Sequence, residues 1–225
     1  MTALNKTENC IDTVIFDIGR VLVDFQPDIP LNRHVPDPGL RSRLKAAVYS
    51  NPAWSEADRG ILPEEEIIAR FVAADPSLEK EIRAAYDWSW ETIRLFPYTE
   101  DWIRSLKSRG FRVFCLSNYS RRLRETTDRE LRFLSLVDGV LFSYACGLIK
   151  PDPEIYRLLF KTFDIRPERA VFLDDNRDNI LAAEREGLHA ILFTDYSQAS
   201  EQLEAILSGE PAAYQPGPEK RGRSF

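Results

Sequence analysis

The sequence predicts an α/β protein, a parallel sheet with helices on both faces and an inserted all-helical cap. Three observations carry that prediction. Four short apolar runs, rich in β-branched and aromatic residues, each stop at a polar residue: TVIF before Asp17, RVFCL before Ser117, AVFL before Asp174 and AILF before Thr194. Helical patterns fill the intervals between the later runs. The stretch 26–98 shows helical periodicity with no strand-like run. Unbroken apolar runs of this length suit strands buried on both faces, which is the condition of a parallel sheet flanked by helices.

In chain order, TVIF is the first strand. The insertion follows, with helices expected over Pro38 to Tyr49, Pro63 to Ala74 and Leu78 to Leu95, punctuated by Pro36, Pro52, Pro76 and Pro97. Its aromatic residues Trp54, Phe71, Tyr86, Trp88 and Trp90 read as the insertion's own core. A helix over Glu100 to Arg109 leads into RVFCL, and a weaker run at Gly139 to Ser143 supplies a further strand. Helices over Pro153 to Phe163 and Arg177 to Glu186 flank AVFL. These boundaries give a discontinuous core (12–25 plus 99–208), a cap (26–98) and a Pro-, Gly- and charge-rich tail (209–225) expected to be mobile, whose KRGR cluster reads as solvated.

Composition bounds the chemistry. The 225 residues carry 30 Lys+Arg against 36 Asp+Glu, a net charge of −6, so no general attraction to nucleic acid or to an anionic membrane surface is expected. Three widely spaced cysteines, Cys10, Cys115 and Cys146, form neither a disulfide framework nor a zinc site, and Cys115 lies in a buried run as packing. Only two histidines occur, His34 and His189, which excludes a multi-histidine metal centre; neither is assigned a role. There is no apolar leader or spanning segment in the sequence, so a cytoplasmic protein is expected. Catalysis, on this composition, runs on carboxylates.

In open α/β sheets ligands bind at the carboxyl ends of the strands, where the polar stops of these runs collect. Asp17 is the first anchor, although a strand-end Asp also serves as a turn former. Ser117 offers a hydroxyl and Asn118 an amide to an anion, or together an ordinary helix N-cap. Lys150 lies in GLIKPDPEIY, where Pro151 and Pro153 restrict the backbone; a solvated surface lysine is the alternative. Asp174 and Asp175 are adjacent carboxylates that repel unless a cation or nearby positive groups compensate, and oxygen ligands of this kind suit Mg²⁺. Arg20 adjoins Asp17 and is placed to meet substrate or to form a surface ion pair. Asn179, one helical turn beyond Asp175, is placed to reach Asp17 or a metal-bound water.

FDIGRVLVDF, LSN, the lysine of KPDPEIY and FLDDNRDNI, in this order, resemble the haloacid dehalogenase superfamily. The resemblance is closest to its glucose-1-phosphate-type phosphatases and to the N-terminal phosphatase domain of epoxide hydrolases, and NPAWSEADRGILPEEEIIARF is similar to the cap of that branch. It implies a Rossmann-like core and a Mg²⁺-dependent phosphatase of a small phosphorylated metabolite, a sugar phosphate first, as a monomer or homodimer. Asp17 is then the nucleophile that becomes phosphorylated, while Ser117, Asn118 and Lys150 hold phosphoryl oxygens. Mg²⁺ takes side-chain oxygens from Asp17 and Asp175 and the backbone carbonyl of Gly19, with Asp174 adjoining.

Gly19 stands where many of these phosphatases carry a second aspartate as general acid and base, which leaves water, substrate or a residue such as Asp24 to protonate the leaving group. The same departure admits two other readings. One is a metal-independent 2-haloacid dehalogenase, in which Tyr156 falls at a matching position; the acidic doublet, unsuited to a carboxylate substrate, argues against it. The other is a catalytically weak phosphometabolite-binding regulatory protein.

Overall fold

The computed structural model describes residues 10–209; the expected tail lies outside the described residues from position 210 onward. In chain order the elements are β1 (Thr13–Phe16), β2 (Val23–Phe25), α1 (Asp28–His34), α2 (Pro38–Leu44), α3 (Ala53–Arg59), α4 (Glu64–Ala74), α5 (Glu79–Asp87) and β3 (Ile93–Leu95). They continue with α6 (Thr99–Ser108), β4 (Arg112–Ser117), α7 (Arg121–Thr126), β5 (Gly139–Phe142), α8 (Ser143–Cys146), α9 (Pro153–Phe163), β6 (Ala170–Asp174), α10 (Arg177–Arg185), β7 (His189–Leu192) and α11 (Tyr196–Leu207).

Five parallel strands form the sheet in the order β5-β4-β1-β6-β7, so the first strand sits at its centre. Strand periodicity sorts the side chains between two layers. Val14, Phe16, Val113, Cys115, Val171 and Leu173 face α6 and α11, packing with Trp102, Ile103, Leu106, Ala199 and Leu203. Ile15, Phe114, Leu116 and Phe172 face α9 and α10, packing with Ile155, Tyr156, Leu159, Ile180 and Ala183. Each of these buried aliphatic and aromatic side chains contributes ~1.5–3 kcal/mol relative to exposure, which is why continuous apolar runs become central strands.

The segment between β2 and β3 builds a separate apolar cluster from Leu31, Leu44, Val48, Ile67, Phe71, Ile82 and Tyr86. Two expectations are corrected here. The helix expected through Leu95 ends at Asp87, and after a 3₁₀ turn over Trp88–Thr92 the chain becomes β3, which pairs antiparallel with β2 (Val23↔Leu95, Phe25↔Ile93). The insertion is therefore not all-helical: a ribbon of three-residue strands, too short to show a period, brings its two ends together. Trp90 is 42% exposed rather than part of the core, whereas Trp54, Phe71 and Tyr86 pack within the insertion and Trp88 stacks on His34 at 4.2 Å. The helix expected over Pro38 to Tyr49 is α-helical only through α2 and continues as a π-helical turn at Lys45–Tyr49.

The turn after α3 seats the insertion on the sheet layer. Gly60 has φ +71°, and a Cβ there would lie 2.6 Å from the Cα of Tyr144 in α8. Gly60→Ala adds a left-handed penalty and a backbone clash, and is expected to destabilise the fold by about 1–3 kcal/mol. An unchanged thermal unfolding midpoint would show that this turn does not bear on α8.

Candidate active site

Sheet register assembles the site. Phe16 pairs with Cys115 on β4 and with Leu173 on β6, so Asp17, Ser117 and Asp174 emerge together at the carboxyl ends of three adjacent strands. The Asp17 amide donates to the Leu173 carbonyl at 2.8 Å, continuing the ladder up to the carboxylate. The Asp17 Oδ1 accepts from the Ile18 amide at 2.7 Å and pairs with Lys150 Nζ at 2.8 Å. Among the described residues Oδ2 has no such partner, which leaves it the freer oxygen.

Lys150 is 3% exposed, and its ammonium is fully used: it also donates to Asp174 Oδ2 at 2.7 Å and to the Leu116 carbonyl at 2.9 Å. Burial alone would pull its pKa down, but Asp17 and Asp174 more than offset this and hold it above the ordinary lysine value. All three donors thus point at protein oxygens, so the lysine neutralises and positions Asp17 rather than offering a free N–H.

Asn118 has a positioning role besides the one expected of it. Its side-chain amide donates to the Lys150 carbonyl at 2.9 Å and its carbonyl accepts from the Lys150 amide at 2.8 Å. One of the two N–H groups of that amide thus fixes the lysine's backbone, while Asn118 also borders the cavity. Asn179 is corrected: its Nδ2 donates to both oxygens of Asp174, at 3.0 Å each, and not to Asp17. Tyr156 is fully buried and donates to the Asn179 carbonyl at 2.9 Å, so it is core and takes no place in the cavity. Burial pushes the Cys115 thiol up, consistent with inert packing.

Two carboxylates divide the labour within the doublet. Asp174 is wholly buried and its oxygens are satisfied by Lys150, Asn179 and the Asn176 amide at 2.7 Å. Asp175 is half-buried, lines the cavity and lies 3.9 Å from Arg20. Arg20 itself is held at φ 59°, a strained conformation for a non-glycine residue, three positions after Asp17. Its amide donates to the Val23 carbonyl at 2.6 Å, which accounts for the tight loop.

The electrostatics of the cluster call for a cation. Oxygens of Asp17, Asp174 and Asp175 lie within 4.8 Å of one another against a single buried ammonium. Burial, then Lys150 in the opposing sense, then the charges of Asp174 and Asp175 leave the Asp17 carboxyl pushed up to about 7. Burial and Asp174 raise Asp175 in the same way. An all-oxygen donor set of this kind fits a hard divalent ion such as Mg²⁺. Gly19 adds to the fit, since nothing lies within 4 Å of where a Cβ would stand and its backbone borders the cavity. Ser117 Oγ is buried without a hydrogen-bond partner among the described residues, an orphan suited to an oxyanion.

Asp17, Gly19, Arg20, Asn118 and Asp175 border a cavity of about 190 Å³ whose other walls include Phe25, Trp54, Ile93, Tyr119 and Leu123. One lining carboxylate was not foreseen as functional. Asp58, from the SEADRG turn of the insertion, shares this cavity with Asp17. Burial first, then Asp17, raise it to about 7, with Lys150 opposing. The only sequence signal for it was that acidic-Arg-Gly turn.

A parallel sheet with carboxylates at its strand ends and a buried lysine between them defines a hydrolase-type active centre. The chain belongs to the haloacid dehalogenase-like hydrolases, whose family model matches residues 11–187. It is 27% identical over 205 residues to the drimenol cyclase drtB of Aspergillus calidoustus, covering 90% of this chain but only 37% of that protein. The sesquiterpene phosphatase astK of Aspergillus oryzae is 25% identical over 197 residues, with 86% and 95% of the two chains covered. A family enzyme of Bacteroides thetaiotaomicron, solved with magnesium and inorganic phosphate, superposes with TM-score 0.64 at 18% identity over 84% of this chain and 98% of that one. The L-2-haloacid dehalogenase of Xanthobacter autotrophicus, with chloropropionic acid covalently bound, shares the fold comparably: TM-score 0.62, 18% identity, 91% and 85% coverage. Among the described residues no helix is long and apolar enough to cross a membrane.

Proposed function

We propose that this hydrolase is a Mg²⁺-dependent phosphatase that cleaves a small phosphomonoester through an aspartyl-phosphate on Asp17. The observation that carries the reading is the convergence of Asp17, Asp174 and Asp175 around one buried lysine, an arrangement short of positive charge until a cation joins it. Asp17, Asp175 and the Gly19 carbonyl would hold a magnesium ion, which would supply charge neutralisation where an anionic nucleophile meets an anionic ester. Lys150 keeps Asp17 ionised and aimed, through the 2.8 Å contact to Oδ1, and leaves Oδ2 unencumbered. Ser117 Oγ is the hydroxyl available to a phosphoryl oxygen. The insertion, with Trp54 and Asp58 on its cavity side, acts as a cap that limits water at the site.

The acidic doublet that favours phosphate also disfavours a dehalogenase, because Asp175 would face a carboxylate substrate with Arg20 at 3.9 Å and an already paired Lys150 to offset it. Sugar phosphates are the first substrates to try. The apolar wall of Phe25, Trp54, Ile93 and Leu123 supports a second group, phosphates of apolar alcohols, in line with the terpenoid named for one relative. A panel holding both groups, assayed for phosphate release, decides between them.

Chelation tests the metal. With EDTA, turnover of p-nitrophenyl phosphate is expected to fall at least ~10²-fold and to return with excess Mg²⁺. Mg²⁺ should also raise the thermal midpoint by binding the folded state alone. Full turnover in chelator would remove this reading.

A further inference from the structure

We infer that Asp58, carried by the insertion rather than by the sheet, is the general acid and base of the reaction, an assignment that rests on the phosphatase reading above. Asp58 borders the same cavity as Asp17, Gly19 and Asp175, and it is carried by α3 rather than by a loop at a strand end. Gly19 leaves open the space in which a side chain two residues after the nucleophile would otherwise stand.

The Asp58 carboxylate has no hydrogen-bond or ion-pair partner among the described residues, unlike Asp24, whose oxygens accept from the Phe25 amide at 2.9 Å and from Gln26. Its own neighbour does not neutralise it, because Arg59 is turned to the Gly147 carbonyl at 3.4 Å. Asp58 also sits in the last turn of α3, where the exposed carbonyls of a helix end favour the protonated acid over the carboxylate. The titratable groups that feel its charge or act on it are Asp17, Lys150, Tyr86 and Tyr119.

The residue is held in place. Ser143 Oγ donates to the Asp58 carbonyl at 2.5 Å and accepts from the Tyr119 amide at 2.9 Å, which links the insertion to the loop just after Ser117 and Asn118. Gly60 then seats the turn against α8.

The proton balance is simple. An oxygen of Asp17 forms a bond to phosphorus as the bond to the leaving oxygen breaks, and Asp58 gives its proton to that oxygen, releasing an alcohol. Water then attacks the phosphorus of the aspartyl-phosphate and passes a proton to the Asp58 carboxylate. The bond to Asp17 breaks, and inorganic phosphate and the protonated Asp58 result.

Leaving-group dependence separates this from a structural role. For Asp58→Asn with Mg²⁺ present, turnover of phenyl phosphate is expected to fall ~10²-fold, and about tenfold more than that of p-nitrophenyl phosphate, whose leaving oxygen needs little protonation. Asp58→Ser should show the same differential, which guards against a folding defect peculiar to one variant. Equal losses on the two esters, or no loss on either, would overturn the assignment while leaving the phosphatase reading standing. A wild-type protein inactive on both esters would overturn the two together.

Discussion

Asp17→Asn is expected to remove phosphate release by at least ~10³-fold while making the metal-free protein more stable. The loss follows from nucleophilicity: an amide oxygen hardly attacks phosphorus, yet the substitution keeps shape and can still accept from Ile18 and Lys150 as Oδ1 does now. The gain in stability follows from the sign of the shift. The Asp17 carboxyl is pushed to about 7 in the folded chain, chiefly by burial, against an ordinary value of 3.8. The folded state therefore binds this proton more tightly than the unfolded one, and folding loses stability as pH rises between those two values. Above that window the ionised carboxylate is a standing cost that asparagine does not bear. In chelator near pH 8 the thermal midpoint of the variant should exceed that of the wild type by a few degrees, since ~1 kcal/mol moves it by ~2–4 °C in a chain of this size. Near pH 5, where the wild-type carboxyl is largely protonated, the difference should shrink. A variant that is less stable at both pH values, or that keeps its turnover, would contradict the charge-starved site described above.

What the sequence conveyed about this site, and what it did not, divides along one physical line. Asp17, Ser117 and Asp174 could be read as site residues because each ends an apolar run, and a parallel sheet gathers such ends whatever the loops do. Lys150 and Asp175 could be read by their motif context. The partnerships were hidden. Nothing local tells that the Asn118 side chain braces the Lys150 backbone, 32 residues away, or that Asn179 turns to Asp174. The β2–β3 ribbon joins segments separated by the whole insertion, through strands of three residues in which neither a period of two nor one of 3.6 can be seen. Asp58 was invisible as a catalyst for the same reason: its significance comes from α3 docking on α8, a contact set by Gly60 and Ser143. Periodicity reports which face is buried, whereas a side chain's partner is a property of tertiary packing.

Lys150→Met should give the opposite stability change to Asp17→Asn, and the contrast isolates the electrostatic frame from mere burial. The ammonium holds Asp17, Asp174 and the Leu116 carbonyl at 2.7–2.9 Å, and methionine fills similar volume while satisfying none of them. Breaking a buried pair from one side strands the other charge, at a cost of about 3–5 kcal/mol. That corresponds to a midpoint lowered by ~10 °C in chelator. Turnover should fall at least ~10³-fold with Mg²⁺ present, because Asp17 loses the group that keeps it ionised and aimed. Added Mg²⁺ should recover part of the midpoint, since a cation placed between Asp17 and Asp175 relieves the same repulsion from the other side. The decisive measurement is the pair of substitutions together. With Asp17→Asn in the same chain one stranded carboxylate is gone, and Asp174 keeps Asn179 and the Asn176 amide. The double variant should therefore melt above Lys150→Met alone, a coupling expected between groups in direct contact. If the two changes instead add independently, the lysine is packing rather than counter-charge, and the account of how Asp17 is kept ready for phosphorus would have to be rebuilt without it.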